Sequence, residues 1–443
     1  MKTFKIGGVH PEEHKLTANK PITQIPLPAQ VSIPLSQSLG APSKLIVEKG
    51  AQVKTGQLIA QGESFISANV HSSVSGKIVR IEEVTDASGY RKPAVIIEVE
   101  GDEWEESIDR SPNVVTEIAL TKDEIIARIK SHGVVGLGGA TFPTHVKLMV
   151  PPDKKAELLI INGVECEPYL TADHRVMLEK GEEVVTGVRI LMKALGVDKA
   201  AIGIENNKPD AIAHLQKLSA NYPGISVVPL KMKYPQGGEK QLIKAVTGKE
   251  VPSGKLPADT GCVVNNIGTA LAVYEAVQKN KPLIDRVVTV TGESLTNPSN
   301  FMVRIGTSVD YLINQAGGLP TDTGKVISGG PMMGKALTTI DSPVVKGTSG
   351  ILLMSEKKSR RVVVQNCIRC ARCISVCPMG LQPVFLAQYS EHQMFEEAEK
   401  ANIMDCMECG SCQFTCPAGR PLLDYVRLGK NTVGTIIRNR VKK

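Results

Sequence analysis

Eight of the ten cysteines form two quartets with identical spacing, and this pattern constrains the chain more than any other feature. Within each quartet the gaps are two, two and three residues, and a proline follows the last cysteine. The quartets are Cys367, Cys370, Cys373 and Cys377, then Cys406, Cys409, Cys412 and Cys416. This spacing places three thiolates around one iron–sulfur cluster and directs the fourth to another cluster. The sequence therefore predicts two [4Fe–4S] clusters.

Two other uses of these cysteines fit the pattern less well. Disulfide frameworks are typical of short secreted chains, whereas this chain has 443 residues and no signal-peptide-like apolar segment near its start. Zinc sites usually pair two two-cysteine knuckles and have no use for four closely spaced thiols. Iron–sulfur ligation is therefore the interpretation that the spacing favours.

The same geometry predicts that each fourth cysteine crosses to the other cluster. One cluster would be held by Cys367, Cys370, Cys373 and Cys416, and the other by Cys406, Cys409, Cys412 and Cys377. The residues from Val384 to Lys400, with Pro383 near the start, read as a helix between the two quartets. We therefore expect a helical double-cluster ferredoxin domain at residues 355–430, followed by a basic tail at 431–443.

The N-terminal part of the chain predicts a small β domain. After an extension of residues 1–28, short apolar runs separated by glycines continue to Val99, which favours a β-sandwich or barrel. Residues 47–60 and 70–78 resemble the biotinyl and lipoyl carrier hammerhead, a barrel-sandwich hybrid. A covalent carrier needs a lysine on its exposed turn, and residues 63–71 contain none. We therefore expect a scaffold at residues 29–101.

The middle of the chain alternates helical and strand patterns. Residues 157–162, 200–205 and 225–230 read as buried strands, with helices between them, which indicates a largely parallel sheet. This α/β domain is placed at residues 115–285. A strand, helix and strand follow, and we interpret them as a β-grasp domain at residues 286–345. The predicted fold class is multidomain α/β plus small β domains.

A glycine-rich motif at residues 133–147 is the second chemical signal. Its glycines at Gly136, Gly138 and Gly139 let backbone N–H groups approach a phosphate or a flat ring, and Lys147 offers a positive charge. The spacing matches neither the Rossmann fingerprint nor a P-loop. Taken alone, the motif predicts a turn as readily as a binding site.

Three further motifs lie where predicted strands or turns meet helices. They contain Asn162, Glu165 and Glu167, then Glu239 after two glycines, then Asn265 and Asn266. Open α/β sheets bind ligands at the carboxyl ends of their strands. Together with the glycine motif, these amides and carboxylates predict a polar pocket for a nucleotide.

These four motifs resemble those of the NADH-binding flavoprotein of respiratory complex I, which binds FMN and NADH. The order of domains along the whole chain resembles the C subunit of the Rnf complex, an ion-translocating ferredoxin:NAD oxidoreductase of bacterial and archaeal membranes. The resemblance implies that FMN contacts Gly136, Gly138, Lys147, Asn162, Asn265 and Asn266. It implies that Phe142, Glu165, Glu167 and Glu239 line the nicotinamide side. The A subunit of the related sodium-pumping NADH:quinone reductase lacks the cluster cysteines and fits less well.

The glycine motif departs from the complex I pattern at three positions. Leu137 stands where that family has arginine, and Thr141 and His145 stand where it has glycine. Bulkier side chains at these positions are expected to narrow the flavin or nicotinamide cleft.

The resemblance implies electron transfer between NAD(H) and the clusters through non-covalent FMN. Its partners would be the other subunits of a membrane Rnf-type complex and a ferredoxin-type electron carrier. Two alternatives are a docking subunit with a vacant flavin site and a soluble NADH-dependent iron–sulfur flavoprotein. Aromatic residues make up only 4% of the chain, which argues against stacking recognition of nucleic acids.

Charge and hydropathy bear on location. Of the net charge of +7, residues 417–443 carry +6, from seven basic residues and Asp424. With no apolar run of spanning length, we expect a peripheral protein on the cytoplasmic face of the inner membrane. It would be held by partner subunits, with the basic tail touching the anionic membrane surface as a secondary, salt-sensitive contact.

Overall fold

The computed structural model describes residues 1–441, and its N-terminal segment is bound to the domains that follow. Lys2 and Val9 form isolated β-bridges with Leu230 and Tyr234. The first strand, β1 (Ile22–Gln24), pairs in parallel with residues 300–302. Residues 1–28 are therefore integrated into two later domains, because their backbone completes β pairings there.

The first β domain consists of two small sheets around one apolar core. Its strands are β2 (Gln30–Pro34), β3 (Lys44–Leu45), β4 (Gln52–Val53), β5 (Leu58–Gln61), β6 (Val70–His71), β7 (Gly76–Thr85) and β8 (Arg91–Val99). The sheets have the orders β2-β8-β7-β4 and β3-β5-β6. Alternate residues such as Ile33, Ile59 and Ile97 are fully buried between them. This is the short-stranded scaffold that the glycine-punctuated pattern predicts.

The α/β domain is built on four parallel strands in the order β11-β10-β9-β12. These strands are β9 (Leu158–Asn162), β10 (Ala200–Glu205), β11 (Ile225–Leu230) and β12 (Cys262–Asn266). The helices are α1 (Lys122–Ser131), α2 (Thr144–Leu148), α3 (Ala172–Glu179), α4 (Gly181–Leu195), α5 (Pro209–Ser219), α6 (Glu239–Thr247) and α7 (Ile267–Gln278), with a 3₁₀ turn at Pro257–Thr260. The pairing of β9 with β12 sets Asn162 beside Asn266 at one sheet edge.

The second β domain is a six-stranded mixed sheet in the order β1-β14-β13-β17-β15-β16. Its elements are β13 (Asp285–Thr291), β14 (Ser299–Arg304), α8 (Val309–Gln315), β15 (Thr323–Ser328), β16 (Lys335–Ala336) and β17 (Gly350–Ser355). The predicted bounds of 286–345 omit β1 and β17. Strand β17 lies between β13 and β15, so its apolar run is a central part of this sheet.

The cysteine domain follows directly and is mostly helical. Its helices are α9 (Glu356–Ser359), α10 (Arg372–Ser375), α11 (Pro383–Glu391), α12 (Phe395–Lys400), α13 (Ser411–Phe414) and α14 (Leu422–Val441), with a 3₁₀ turn at Ile403–Asp405. The single helix expected after Pro383 is two helices. Gln393, with φ of 58°, adopts a left-handed conformation that ends the first of them.

The expected basic tail at 431–443 is not a separate segment in the described residues. Helix α14 continues to Val441, and Val433 is fully buried in the core of the cysteine domain. Near the end of the helix, Arg440 forms an ion pair with Glu399 at 2.8 Å. Removal of residues 431–443 would therefore expose this core. Lys442 and Lys443, which belong to the expected tail, lie outside the described residues.

Across residues 1–441, none of the helices combines the length and the apolar character that a bilayer crossing requires. The architecture confirms the predicted multidomain α/β class with additional small β domains.

Candidate functional site

The glycine-rich loop lies against the start of α7. Gly136 donates its backbone N–H to the carbonyl of Phe142 at 2.9 Å, and Leu137 N–H donates to Thr269 Oγ1 at 2.9 Å. Gly138 and Gly139 are exposed. A Cβ on Gly138 would lie 2.6 Å from Asn266 Nδ2. The loop therefore presents bare backbone at a position where a side chain does not fit.

Three asparagines meet at the carboxyl edge of β9 and β12. Asn266 caps α7 by accepting from Gly268 N–H at 2.8 Å, and its Nδ2 donates to Asp173 at 2.7 Å. Asn162 donates to the Gly237 carbonyl at 2.8 Å. The Nδ2 group of Asn265 is buried and has no hydrogen-bond partner among residues 1–441. A buried donor of this kind needs an acceptor, as a ligand in this cleft would provide.

Lys147 and Glu239 form an ion pair. Lys147 Nζ lies 2.8 Å from Glu239 Oε1 and also donates to the Val264 carbonyl at 2.8 Å. Both side chains remain partly exposed. The residue expected at the FMN phosphate and one expected on the nicotinamide side are therefore in direct contact beside Asn265.

Glu165 and Glu167 each accept hydrogen bonds from backbone amides. The carboxylate of Glu165 accepts from Asp173 N–H at 2.7 Å and from His174 N–H at 3.1 Å, at the start of α3. Glu167 accepts from Met332 and Met333 N–H in the second β domain. Burial raises the pKa of Glu167 to about 7. The sequence did not reveal these structural partners of the two carboxylates.

Phe142 and the three departures from the complex I pattern have different surroundings. Phe142 is half-buried at the end of the loop. Leu137 belongs to the main hydrophobic core and His145 is only 2% exposed, so neither side chain lies on the exposed surface of the loop. Burial lowers the pKa of His145 to about 4. Thr141 has a φ of 53°, a conformation that glycine adopts more readily.

Two residues that the sequence did not single out also shape the site. Lys15, from the N-terminal segment, donates its Nζ to the carbonyls of Glu165, Glu167 and Leu170 at 2.7–2.9 Å. Burial lowers the pKa of Lys15 to about 8. Burial, and then the charge of Glu165, raises the pKa of Asp173. An acidic residue in the first turn of a helix was the only available signal for Asp173, and Lys15 had none.

Four of the eight quartet cysteines line a common cavity. Cys377, Cys406, Cys409 and Cys412 line one cavity, whose walls include Met379, Leu381, Leu386 and Val426. Burial raises the pKa of the Cys406 thiol to about 11, so binding of iron there must displace a proton. Burial, and then the charge of the neighbouring Cys416, raises the pKa of the Cys373 thiol. Cys367 and Cys370 are exposed.

The donor set suits a multi-iron group. Within residues 1–441, no three Cys, His, Asp or Glu side chains converge as tightly as a single metal ion needs. Four thiols nevertheless surround the common cavity. A [4Fe–4S] cluster, which is ligated by four thiolates, fits a cavity that four cysteines line.

The cysteine cavity faces the α/β domain. Tyr234 donates its hydroxyl to the Cys409 carbonyl at 2.8 Å, and Gln241 donates to the Pro378 carbonyl at 3.2 Å. Gly7 of the N-terminal segment passes beside Cys377, where a Cβ would lie 2.5 Å from the Cys377 carbonyl. Through these contacts, the cavity lined by Cys377, Cys406, Cys409 and Cys412 packs against the α/β domain, which also carries the polar cleft.

Family models match four segments of the chain. They describe an RnfC barrel sandwich hybrid domain at residues 2–102, a Nuo51 FMN-binding domain at 129–275, an SLBB domain at 287–336 and a 4Fe-4S dicluster domain at 360–417.

Similar proteins cover nearly the whole chain. The C subunit of the proton-translocating ferredoxin:NAD(+) oxidoreductase complex of Clostridium ljungdahlii is 48% identical over 97% of this chain and 94% of that protein. The C subunit of the Na(+)-translocating complex of Acetobacterium woodii is 47% identical over 97% of both chains. A crystal structure of an NAD+-reducing [NiFe]-hydrogenase matches with a TM-score of 0.51 and 18% identity, over 69% of this chain and 61% of that one. The last comparison shows shared fold only.

Proposed function

The chain belongs to the C-subunit family of ion-translocating ferredoxin:NAD⁺ oxidoreductase (Rnf) complexes, and from this membership we propose how it works. It is the subunit that passes electrons between NAD(H) and the rest of a membrane complex. The electrons travel through FMN and two [4Fe–4S] clusters. The remaining subunits and a ferredoxin-type carrier are its partners.

The contact between the cysteine cavity and the α/β domain is the observation that carries this proposal. Tyr234 follows β11 and its hydroxyl reaches Cys409, while Gly237, three residues later, accepts from Asn162 of the cleft. Flavin and cluster sites on opposite sides of one short loop are arranged for electron transfer. FMN, when bound, supplies the exchange between two-electron hydride chemistry and one-electron steps.

The residues of the cleft fit FMN. The backbone at Gly136, Gly138 and Gly139 would border the flavin, with the N–H groups of Gly138 and Gly139 facing it, since that of Gly136 bonds the Phe142 carbonyl. Asn162, Asn265 and Asn266 would supply amide groups. Lys147 would balance the phosphate charge. Phe142, Glu165, Glu167 and Glu239 would border the nicotinamide side, where this chain's role is to orient the ring and exclude water. We assign this domain a Rossmann-like fold and the SLBB region a β-grasp fold.

The cysteines would ligate the clusters across the quartets. Cys406, Cys409, Cys412 and Cys377 hold the cluster in the common cavity, termed the inner cluster below. Cys367, Cys370, Cys373 and Cys416 hold the outer cluster. The shared cavity of the first set supports this pairing, as does the proximity of Cys373 to Cys416.

We place the chain on the cytoplasmic face of the inner membrane, held mainly by partner subunits. An anionic membrane surface provides a secondary contact. Exposed residues at the end of α14, such as Arg438, contribute about 1 kcal/mol each at best to such a contact. Arg440 contributes less because Glu399 already pairs with it.

The ion pair of Lys147 with Glu239 gives a direct test of the cleft. Lys147→Ala removes the phosphate counter-charge and should weaken FMN retention about tenfold. Glu239→Gln keeps a hydrogen-bond acceptor for Lys147, so it should retain FMN while slowing reduction by NADH. FMN binding is measured by fluorescence on anaerobic protein, with Lys122→Ala on the exposed face of α1 as the control. If the reconstituted wild-type protein neither retains FMN nor responds to NADH, the chain is an electron-transfer and docking subunit without a flavin.

A further inference from the structure

The two cysteine sets differ in what surrounds them. The inner set is covered by the α/β domain and the N-terminal segment, through Tyr234, Gln241 and Gly7. Of the outer set, Cys367 and Cys370 are exposed. Because one set faces the flavin cleft and the other faces solvent, electrons that pass through this chain enter or leave it at the outer set.

An unusual surface surrounds these exposed cysteines. Residues 360–372 are all exposed, and most of them form an extended segment without regular secondary structure. This segment is fixed in place, because Gln365 N–H donates to the Ala418 carbonyl at 2.9 Å. Val362, Val363 and Ile368 are 68%, 80% and 68% exposed. Together with the adjoining residues 357–359, they form what we call the 357–372 surface.

The charge of this surface has one sign. Residues 357–372 contain six basic residues and no acidic residue, namely Lys357, Lys358, Arg360, Arg361, Arg369 and Arg372. Three of them have carboxylate partners elsewhere, since Lys358 pairs with Glu293, Arg360 with Glu356 and Arg361 with Asp424. For Lys357, Arg369 and Arg372 there is no ion pair within residues 1–441. An oxidised cluster with four thiolates carries about −2, which leaves the surface basic.

We propose that the 357–372 surface is the docking site for an acidic redox protein of the complex that exchanges single electrons with the outer cluster. The inference rests on the proposed function, because it requires a cluster at Cys367 and Cys370. One electron leaves the reduced centre on one side of the contact and reduces the oxidised centre on the other. No covalent bond forms or breaks, and no proton is transferred.

The composition of the surface favours a protein over a lipid surface as the occupant. Its exposed valines and isoleucine adjoin the cluster ligands in sequence, and basic residues precede and follow them along the chain. An apolar centre with a polar rim is typical of protein interfaces. Complementary charge accelerates encounter and sets the orientation of the partner. Electron-transfer contacts are typically small, in keeping with a site formed by one short segment. A bilayer offers anionic charge but no electron acceptor beside Cys367.

The test uses the holoprotein and membranes that retain the partner subunits but lack this chain. Val363→Asp places a negative charge at the apolar centre, and Arg369→Glu reverses a rim charge. Each should weaken rebinding to these membranes at least tenfold, measured by sedimentation at moderate salt. Tyr90→Asp and Lys49→Glu, on exposed turns of the first β domain, are the matched controls and should rebind like wild type. Neither test position ligates a cluster, so iron content should not change.

Two further measurements separate the possible outcomes. Protein-free vesicles with anionic lipids should bind the test variants and the controls equally weakly. Unchanged rebinding to the membranes by both test variants would overturn the proposal, and so would parallel losses on the protein-free vesicles, which would identify lipid as the occupant. Reduction of the clusters by NADH is followed separately in every variant. Its absence in wild type contradicts the proposed function, whereas rebinding still reports on the surface.

Discussion

At Gly138 the backbone passes so close to Asn266 that an alanine methyl group at this position would lie 2.6 Å from Asn266 Nδ2. Asn266 has little freedom to move, because its oxygen caps α7 and its nitrogen bonds Asp173. Gly139, the next residue, has open space around its Cα. The two neighbouring glycines therefore form a matched pair, in which only the first is under steric constraint.

We expect Gly138→Ala to displace Asn266 and Gly139→Ala to be tolerated. Loss of the cap costs about 1 kcal/mol of stability, and FMN affinity should fall about tenfold. Thermal unfolding and fluorescence titration with FMN measure the two effects. Equal behaviour of the two variants would show that the loop does not contact the flavin as described.

The raised pKa of Glu167 predicts a pH dependence of stability. Burial raises this pKa from 4.5 to about 7, so the folded state holds the proton more tightly than the unfolded state. The resulting stabilisation is fully present below pH 4.5 and is lost as the pH rises through about 7. Glu167→Gln removes this dependence. The Tm of wild type minus the Tm of the variant should therefore decrease as the pH is raised from 5.5 to 8.

Differential scanning fluorimetry across that range checks the sign. Glu12→Gln, whose side chain is 86% exposed, controls for the loss of one carboxylate. If the Tm of wild type minus that of Glu167→Gln instead increases with pH, the pKa of Glu167 is lowered and not raised. The hydrogen bonds from the Met332 and Met333 amides would then have a larger effect on this pKa than burial has.

Individual side-chain partners were the part of the site least open to prediction from sequence. Lys147 and Glu239 were assigned to different ligands, yet they pair with each other across 92 residues of chain. Glu165 was assigned to the nicotinamide, yet its carboxylate caps α3. Residue type and spacing predict candidate groups for the cleft, but tertiary packing decides which of them contact one another.

At the scale of elements, the two short helices α10 and α13 carry equivalent parts of the two cysteine quartets. Their arrangement predicts which substitutions share a spectroscopic effect. Cys377→Ser and Cys406→Ser should lose the same cluster signal in low-temperature EPR of dithionite-reduced protein, although they belong to different quartets. Cys416→Ser and Cys367→Ser should both lose the EPR signal of the other cluster. If Cys377→Ser instead matches Cys367→Ser, each cluster is held within one quartet and the crossed assignment is wrong.

Elements with strong local patterns were predicted, and elements that depend on distant partners were not. Strands β9, β10 and β11 were placed within a residue of their observed bounds, because continuous apolar segments are typical of parallel sheets. The expectation that all three are buried is wrong for β11, which lies at the sheet edge and is mostly half-buried. Strand β17 was missed because its neighbours β13 and β15 lie far away in sequence. The full length of α14 was not predicted, because the basic residues near its end indicated an exposed tail, although positions among them such as Val433 are buried.

At the scale of the whole molecule, the N-terminal segment connects the functional domains. Val9 bridges Tyr234, Gly8 N–H donates to the Val376 carbonyl at 2.8 Å, and Lys15 fixes the loop that carries Glu165 and Glu167. The N-terminal segment thus contacts both the proposed flavin site and the cysteine cavity. Composition gave no sign of this role, since the segment has no chemical motif of its own.

The central claim is that electrons from NADH reach the clusters through FMN in this chain. Anaerobically prepared protein loaded with FMN should contain about eight iron and eight sulfide per chain. Stepwise addition of NADH, followed by EPR, should produce reduced-cluster signals, and dithionite serves as the reference for full reduction. Reduction of both clusters by dithionite but of neither by NADH, in protein that has retained its FMN, would contradict the account.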